Sequence, residues 1–387
     1  MKIVLFCHSL LSDWNHGNAH FLRGVATELV SRGNHVRVYE PRNAWSLTNL
    51  LTEHGTRAVA GFRKAYPALR GVDVQYDIGR LDLDVAIGDA DLVIVHEWTD
   101  PKLIARIGRQ RARGGKFKLL FHDTHHRAAT DPQAMAACDL SNYDGVLAFG
   151  EVLRDLYLKN GWTQRAWIWH EAADVRRFHP IPGAEQQGDL VWIGNWGDGE
   201  RTGELREFLI DPVKSLRLKA RIHGVRYPES ALAQLAAAEI SYGGWAANFT
   251  APTIFSGYKV TVHVPRRPYS KALPGIPTIR MFEALACGIP LVSAPWSDVE
   301  GLFTPGEDYL VARNGREMKS HLRLLVNDPE AAEAVAEHGL RTIRSRHTCA
   351  HRVDELMNVV AELTGTDVRA ARPARRRPRK SAAAATA

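Results

Sequence analysis

Short apolar segments alternate with segments of helical periodicity along most of this sequence, and this alternation constrains the fold more than any other feature. Strands that are separated by helices must be joined by crossovers, which produces a parallel sheet covered by helices. One such helix is predicted over Asn18–Ser31, ending before Gly33. The predicted strands of the first half are Lys2–Cys7, His35–Tyr39, Leu92–His96, Phe117–Phe121 and Gly145–Phe149.

A polar stretch with proline and glycine, residues 178–188, interrupts this pattern, and the alternation restarts after it. A chain of 387 residues also exceeds what one hydrophobic core usually supports. We therefore predict an α/β protein with two doubly wound, Rossmann-like domains, 1–178 and 179–363. The predicted elements of the second half are strands Leu190–Gly194, Leu218–Gly224 and Ile289–Ser293, and helices Arg201–Leu209, Glu229–Ala238 and Thr278–Cys287, with further helices up to Leu363.

Most of the positive charge lies at the end of the chain. The formal net charge is +7, and the residues from Thr366 onward, with seven basic side chains and one acid, supply +6 of it. The rest of the chain is nearly neutral, so no specific nucleic acid is expected as a partner. We predict that residues 364–387 form a disordered basic tail. It is either solvated or in contact with an anionic membrane surface.

The four cysteines show no paired spacing, which favours reduced thiols. The start of the chain lacks the features of a signal peptide, and no apolar run approaches the roughly 18 residues of a membrane span. These features predict a cytoplasmic protein. A membrane contact of the tail would place it peripherally at the inner face of the membrane.

Polar residues follow several predicted strands of the first domain. Ligands of open α/β sheets bind beyond the carboxyl ends of the strands. Histidine titrates near neutral pH, so these positions suit proton transfer or contact with a substrate. A zinc site around the two later histidines and purely structural histidines are the alternatives. The candidate catalytic residues are Asp13, His16, His122 and His125.

The helix over Thr278–Cys287 carries the sharpest signal of the second domain. Thr278 is a good N-cap, and the backbone N–H groups of Ile279 and Arg280 are free to bind a diphosphate. The Arg280 guanidinium would add charge-assisted hydrogen bonds. Glu283 lies on the apolar stripe of this helix, where a carboxylate needs hydrogen-bond donors. Ribose hydroxyls of a nucleotide, a neighbouring helix or solvent would meet that need.

Further donor contacts are predicted around this helix and after the first strand of the second domain. Gly194 and Asn195 begin a segment that partly matches a nucleotide-binding glycine loop. This segment, together with Arg201, either faces a phosphate or forms an ordinary turn. Gly275, in the loop before the helix, and nearby Lys271 are the other candidates. Trp14, Trp196 and Trp245 suit stacking on sugars or bases, or buried anchoring.

Several motifs, in order along residues 1–363, resemble GT-B glycosyltransferases of the family 4 or group 1 type, most of all the CgeB-like, spore-maturation-protein-like branch. In chain order, the first two motifs resemble strand ends of that family, the third resembles its interdomain segment and the fourth its donor-binding helix. The last two resemble C-terminal motifs of the CgeB-like branch. These motifs are Leu92–Trp98, Leu119–Asp123, Ala173–Pro180, Ile279–Gly288, Glu300–Phe303 and His347–Val353.

The resemblance implies two Rossmann-like domains that face a central cleft, with a nucleotide-diphosphate sugar on the second domain and the acceptor on the first. It implies transfer without a metal ion or other cofactor, and a UDP- or GDP-linked donor. Glu283 matches the family's ribose-binding glutamate, and His122 matches a histidine near the transferred sugar. The pattern's second glutamate, eight residues earlier, is Gly275 here. Neither retention nor inversion of configuration is therefore predicted.

We accordingly predict a hexosyl- or similar transferase that acts on a glycan, lipid, protein or small molecule. If the enzyme inverts configuration, Asp13, His16 or a histidine of residues 122–126 would accept the acceptor's proton. The same scaffold also supports two alternatives from other classes. One is a non-transferase enzyme, such as a sugar-nucleotide epimerase. The other is a non-catalytic module that binds a sugar or a nucleic acid.

Overall fold

The computed structural model describes residues 1–365, in which two parallel sheets carry the fold. The basic tail predicted from the sequence lies almost entirely outside the described residues. The first sheet has the order β3-β2-β1-β4-β5-β6-β7, so its strand order reverses between β1 and β4. Its strands are β1 (Lys2–Phe6), β2 (His35–Pro41), β3 (Asp73–Tyr76), β4 (Leu92–His96), β5 (Lys118–Asp123), β6 (Gly145–Ala148) and β7 (Ala166–Ile168).

Helices cover both faces of this sheet, as crossovers between parallel strands require. Every residue of β4 is buried, because the strand is covered on both sides. The helices are α1 (Ala19–Ser31), α2 (Trp45–His54), α3 (Thr56–Ala65), α4 (Leu83–Ile87), α5 (Pro101–Ala112), α6 (Arg127–Thr130), α7 (Pro132–Ala136) and α8 (Glu151–Lys159), with a 3-10 turn at Pro67–Leu69.

The second sheet is also parallel, has the order β10-β9-β8-β11-β12-β13, and reverses between β8 and β11. The predicted α/β fold with two doubly wound domains is thereby confirmed. Strands β3, β7, β10, β11 and β13 were not predicted from the sequence. The strands of the second sheet are β8 (Gly188–Ile193), β9 (Ala220–His223), β10 (Ser241–Tyr242), β11 (Tyr258–His263), β12 (Leu291–Ser293) and β13 (Leu310–Val311).

The helices of the second half include the predicted apolar helix, which ends where Gly288 adopts a φ of 65°. A π-helical turn at Arg206–Ile210 replaces part of the predicted helix over 201–209. Short 3-10 turns also occur, as at Asn248–Thr250. The helices are α9 (Thr202–Leu205), α10 (Asp211–Leu216), α11 (Glu229–Ala237), α12 (Ala251–Ser256), α13 (Arg267–Ala272), α14 (Ile279–Ala286), α15 (Gly315–Asn327), α16 (Pro329–Arg346) and α17 (Cys349–Thr364).

The last helix returns to the first domain. The two sheets lie on either side of the predicted boundary near residue 178, but α17 packs against α1. The Trp169 indole N–H donates to the Arg352 carbonyl oxygen at 2.7 Å, and Arg32 pairs with Asp354 at 2.6 Å. Helix α17 therefore completes the core of the first domain, although the sequence assigned it to the second. Among residues 1–365, no helix is both long and apolar enough to cross a bilayer.

Candidate functional site

A cleft of about 780 Å³ lies where the carboxyl ends of the two sheets face each other. Both strand-order reversals open into it, which is the usual ligand position in doubly wound sheets. Several predicted site residues from both domains line this cleft, so the fold brings together most of the positions that the sequence indicated. These are Asp13, His16, His125, Gly194, Asn195, Arg201, Thr278, Ile279 and Arg280.

The start of α14 points its unpaired backbone N–H groups at the cleft. Thr278 occupies the N-cap position, but its hydroxyl makes no capping hydrogen bond and instead contacts Nε2 of His263 at 3.0 Å. Within the described part of the chain, the first N–H groups of the helix thus have no side-chain cap. The Arg280 guanidinium stands beside them and is about 29% exposed. This arrangement can bind an anion such as a phosphate.

Glu283 lies between the two domains but does not line the cleft. Its carboxylate is fully buried and has protein partners on both oxygens. The His20 ring, held by the Asp174 N–H at its Nε2, places Nδ1 3.1 Å from Glu283 Oε1, which also accepts from Asn248. Arg280 donates to the other oxygen.

The electrostatics of Glu283 agree with this arrangement. Burial alone would raise the pKa of the carboxyl group, but the charge of Arg280 and the hydrogen bonds from His20 and Asn248 lower it below its usual value. The structure thus favours the alternative of protein partners for this carboxylate. Its contact with ribose stays a prediction.

The loop after β8 is fixed mainly by structural hydrogen bonds. Arg201 donates from its two terminal nitrogens to the carbonyl oxygens of Val264 and Asn195, while its buried Nε has no partner among residues 1–365. Burial lowers the pKa of this guanidinium to about 10. Asn195 Nδ2 donates across the cleft to Asn15 at 2.6 Å, and the Gly194 carbonyl oxygen accepts from the Tyr227 hydroxyl. The loop lines the cleft, yet Arg201 chiefly shapes it.

Besides Glu283, two other predicted donor residues lie outside the cleft lining. Lys271 is exposed on α13. Gly275 has a φ of +89°, and a Cβ at this position would lie 2.5 Å from Oε1 of Glu300. The Glu300 carboxylate occupies that space and accepts hydrogen bonds from the Glu151 N–H at 2.9 Å and from His170 at 2.8 Å. These two hydrogen bonds connect the second domain to the first. The cleft geometry therefore gives no support to donor contacts by Lys271 or Gly275.

Asp13 is fully engaged by protein donors. Its carboxylate accepts from Arg23 at 2.7 Å, from the Trp245 indole at 3.1 Å and from the Asn248 N–H at 3.0 Å. Two of these donors belong to the second domain, so Asp13 connects the two halves across the cleft. Because these donors already engage both of its oxygens, the geometry favours a structural role of Asp13 over its predicted catalytic role.

All three predicted histidines are neutral; His16 and His122 are buried, and His125 is partly buried. Burial lowers the pKa of His16 and His122 well below the usual value, and lowers that of His125 to about 2. His122 lies behind the cleft wall against Phe21 and Trp169, with ring centroids 5.9 and 4.7 Å away. His16 and His125 line the cleft and are therefore the better placed. Within residues 1–365, no group of three or more potential ligands is arranged to hold a metal ion.

The cleft also contains functional candidates that the sequence did not reveal. Glu171, which follows β7, lines the cleft with a largely buried carboxyl group, and Asn18 donates to it at 3.2 Å. Burial raises its pKa to about 8. Trp45 and Trp98 form part of the first-domain wall. The residue after a short strand such as β7 carries no pattern of its own, so only the folded chain identifies Glu171.

The comparisons with known proteins agree with this architecture. Residues 201–358 match a family model described as glycosyl transferase-like. Sucrose-phosphate synthase from Thermosynechococcus elongatus is similar in structure, with 12% identity, 94% of this chain and 99% of that chain covered, and a TM-score of 0.65. HepE of Anabaena, solved with UDP and glucose, has 13% identity, 94% and 100% coverage and a TM-score of 0.65.

A third similar structure is an α-glucosyltransferase solved with UDP and a 13-mer DNA containing an HMU base, with 9% identity, 93% and 99% coverage and a TM-score of 0.69. No curated protein gives a significant sequence match. The fold and the match of the second domain define the chain as a glycosyltransferase of GT-B architecture. Within that class the match supports the group 1 type, and the CgeB-like branch stays a prediction.

Proposed function

We propose that this glycosyltransferase takes a sugar from a UDP-linked donor on the second domain and passes it, without a metal ion, to an acceptor on the first domain. One observation carries the proposal. The uncapped start of α14, with Arg280 beside it, opens into a cleft between the ends of two parallel sheets. Such a cleft can hold a diphosphate against the helix while the sugar faces the other domain.

Departure of the nucleotide places negative charge on its diphosphate. The backbone N–H groups of Ile279 and Arg280 and the Arg280 guanidinium would stabilise that charge in a site already oriented for it. This stabilisation needs no divalent ion, which supports metal-independent transfer. UDP is favoured over GDP because two of the similar structures were solved in complex with UDP.

The acceptor hydroxyl must lose a proton, and the cleft offers three groups for an inverting transfer. His16 and His125 are neutral but weak bases, because their pKa values are low. The carboxyl group of Glu171, with its raised pKa, is a stronger base once ionised. We therefore place Glu171 first among the proton acceptors. A retaining transfer would need none of them.

Calorimetry of nucleotide binding tests the donor site. We expect the wild-type protein to bind UDP at least tenfold more tightly than UMP, because the second phosphate reaches α14. Arg280→Ala should remove most of that difference, whereas Arg280→Lys, which keeps a positive charge beside Glu283, should remove less. Arg313→Ala is the matched control, since Arg313 is about 81% exposed and pairs with Glu317.

Two outcomes would count against the proposal. Equal UDP affinities of wild type and Arg280→Ala would remove the diphosphate site from α14. Loss of UDP binding and of sugar transfer in EDTA, with recovery on adding Mg²⁺, would contradict metal-independent transfer.

A further inference from the structure

The first-domain wall of the cleft contains a cluster of tryptophans, which we call the aromatic wall: Trp14, Trp45 and Trp98. The indoles come from different segments but meet around His8. The ring centroids of Trp14 and Trp45 are 6.2 Å apart, and so are those of Trp45 and Trp98. His8 packs at 4.6 Å from Trp45. The fold has therefore assembled a continuous aromatic surface on the side opposite α14.

Trp45 is the member of the aromatic wall that has room for a ligand. Trp14 is buried and donates its indole N–H to Glu53 at 2.8 Å, and Trp98 has the Arg127 guanidinium over its ring at 4.3 Å. Trp45 is about 37% exposed and lines the cleft. An indole that stays partly in water forgoes much of the stabilisation that its burial would give. A ligand that covers it would recover that stabilisation.

Planar polar groups lie beside the exposed indole. Asn49 lies one helical turn after Trp45 on α2 and lines the cleft. Its amide Nδ2 donates a hydrogen bond to the Trp45 carbonyl oxygen at 2.9 Å. Its amide oxygen is left to accept from a ligand. An apolar aromatic face next to a hydroxyl-binding amide suits a pyranose ring, which has an apolar C–H face and a rim of hydroxyl groups.

The charge of this side of the cleft argues against a polyanionic ligand. Among the described first-domain residues that line the cleft, Arg127 is the only arginine or lysine, and Trp98 and the Glu97 carbonyl oxygen already engage it. Asp13 and Asp131 line the same side. Nucleic-acid binding relies on several cations that neutralise phosphates. A neutral ligand fits these charges better.

We propose that the acceptor is an uncharged carbohydrate whose sugar ring stacks on Trp45 and whose hydroxyl groups bond to Asn49. This inference rests on the proposed function and names the acceptor class for that site. The DNA in one of the similar structures makes a nucleic acid the alternative for the test to exclude.

Ligand-observed NMR on the full chain, in the presence of saturating UDP, tests the acceptor class. The probes are a panel of neutral di- and trisaccharides and a 13-mer DNA duplex. We expect saturation transfer to at least one saccharide and none to the DNA. Trp45→Ala should weaken saccharide binding at least tenfold, and Trp45→Phe should retain most of it, because a benzene ring still stacks. Leu51→Ala is the matched control, since Leu51 lies on the same helix with about 39% exposure and outside the cleft.

The outcomes separate this inference from the proposed donor site. UDP affinity of Trp45→Ala, measured by calorimetry, should equal that of the wild type, because the aromatic wall faces α14 across the cleft. The inference is overturned if Trp45→Ala binds the saccharide as tightly as the wild type does. It is also overturned if the wild type binds UDP but no saccharide, or binds the DNA and no saccharide. Failure of the wild type to bind UDP would instead remove the proposed function.

Discussion

The pKa values of the histidines in the cleft and behind its wall depend on burial more than on neighbouring charges. Histidines after strands were predicted from the sequence as proton-transfer groups, because a free imidazole titrates near neutral pH. In the folded chain, burial comes first among the causes that lower the pKa values of His16, His122 and His125. The sequence shows which side chains follow a strand, but their depth depends on helices and loops from distant parts of the chain. The chemistry of these positions was therefore only partly predictable.

Glu171 provides a pH-dependent test at this scale. Burial raises its pKa in the folded chain to about 8, whereas the unfolded chain ionises near the ordinary value for glutamate. As the pH rises between these two values, the unfolded state loses a proton that the folded state keeps, so the wild type loses stability. Glu171→Gln does not ionise. We expect its Tm, relative to the wild type, to rise from pH 5 to pH 9.

Thermal unfolding at several pH values measures this difference. Glu337→Gln, whose side chain is about 61% exposed on α16, is the control and should show little dependence. Glu171→Gln also tests the identity of the proton acceptor, because an inverting enzyme should lose transfer activity when this carboxyl group is replaced. A Tm difference that does not change with pH would show that Glu171 is ionised in the folded protein.

At the scale of elements, α14 joins two functions in one helix. Its first turn faces the cleft, while Glu283 receives hydrogen bonds from His20 of α1 and from Asn248. Glu283→Ala would leave these buried donors without an acceptor, and we expect a loss of about 2–4 kcal/mol in the free energy of unfolding. Glu283→Gln should cost less, because its amide oxygen still accepts.

Urea unfolding measures this loss, with Glu317→Ala on α15 as the control, since that carboxylate pairs with the exposed Arg313. UDP calorimetry on the folded Glu283→Ala protein addresses the ribose prediction separately. Unchanged UDP affinity would remove the ribose contact and leave Glu283 a purely structural residue. An unfolding free energy equal to that of the wild type would contradict a stabilising role of the hydrogen bonds from His20 and Asn248 to Glu283.

The accuracy of the sequence prediction differed between elements for a physical reason. Long apolar strands such as β4, and the helix α14 between Thr278 and Gly288, were predicted closely because each has a clear pattern and clear end signals. Strands β10 and β13 are two residues long and only partly buried or exposed, so they have no period to detect. The segment of β11 has alternating residues, but it follows a region rich in glycine and aromatic residues that obscured its start.

At the scale of the whole molecule, the two domains share one apolar core. Buried residues of β1, α1, α14, α16 and α17 belong to a single continuous cluster, so the halves that the sequence separated are packed as one unit. A linear pattern cannot show this, because the helix that closes the first domain comes last in the chain. Asp13, Glu283 and Glu300 add polar links between the same halves.

The return of α17 to the first domain leads to a prediction about where stability is lost. Leu356 is fully buried in the shared core, and Leu356→Ala should cost about 2–5 kcal/mol by removing contacts and leaving a cavity. Because α17 packs on α1, amide hydrogen exchange should increase in α1 as well as in α17. Leu324→Ala on α15, about 44% exposed, should change neither measurement. Faster exchange confined to the second sheet and its helices would show that α17 stabilises only the second domain, as the sequence pattern alone suggested.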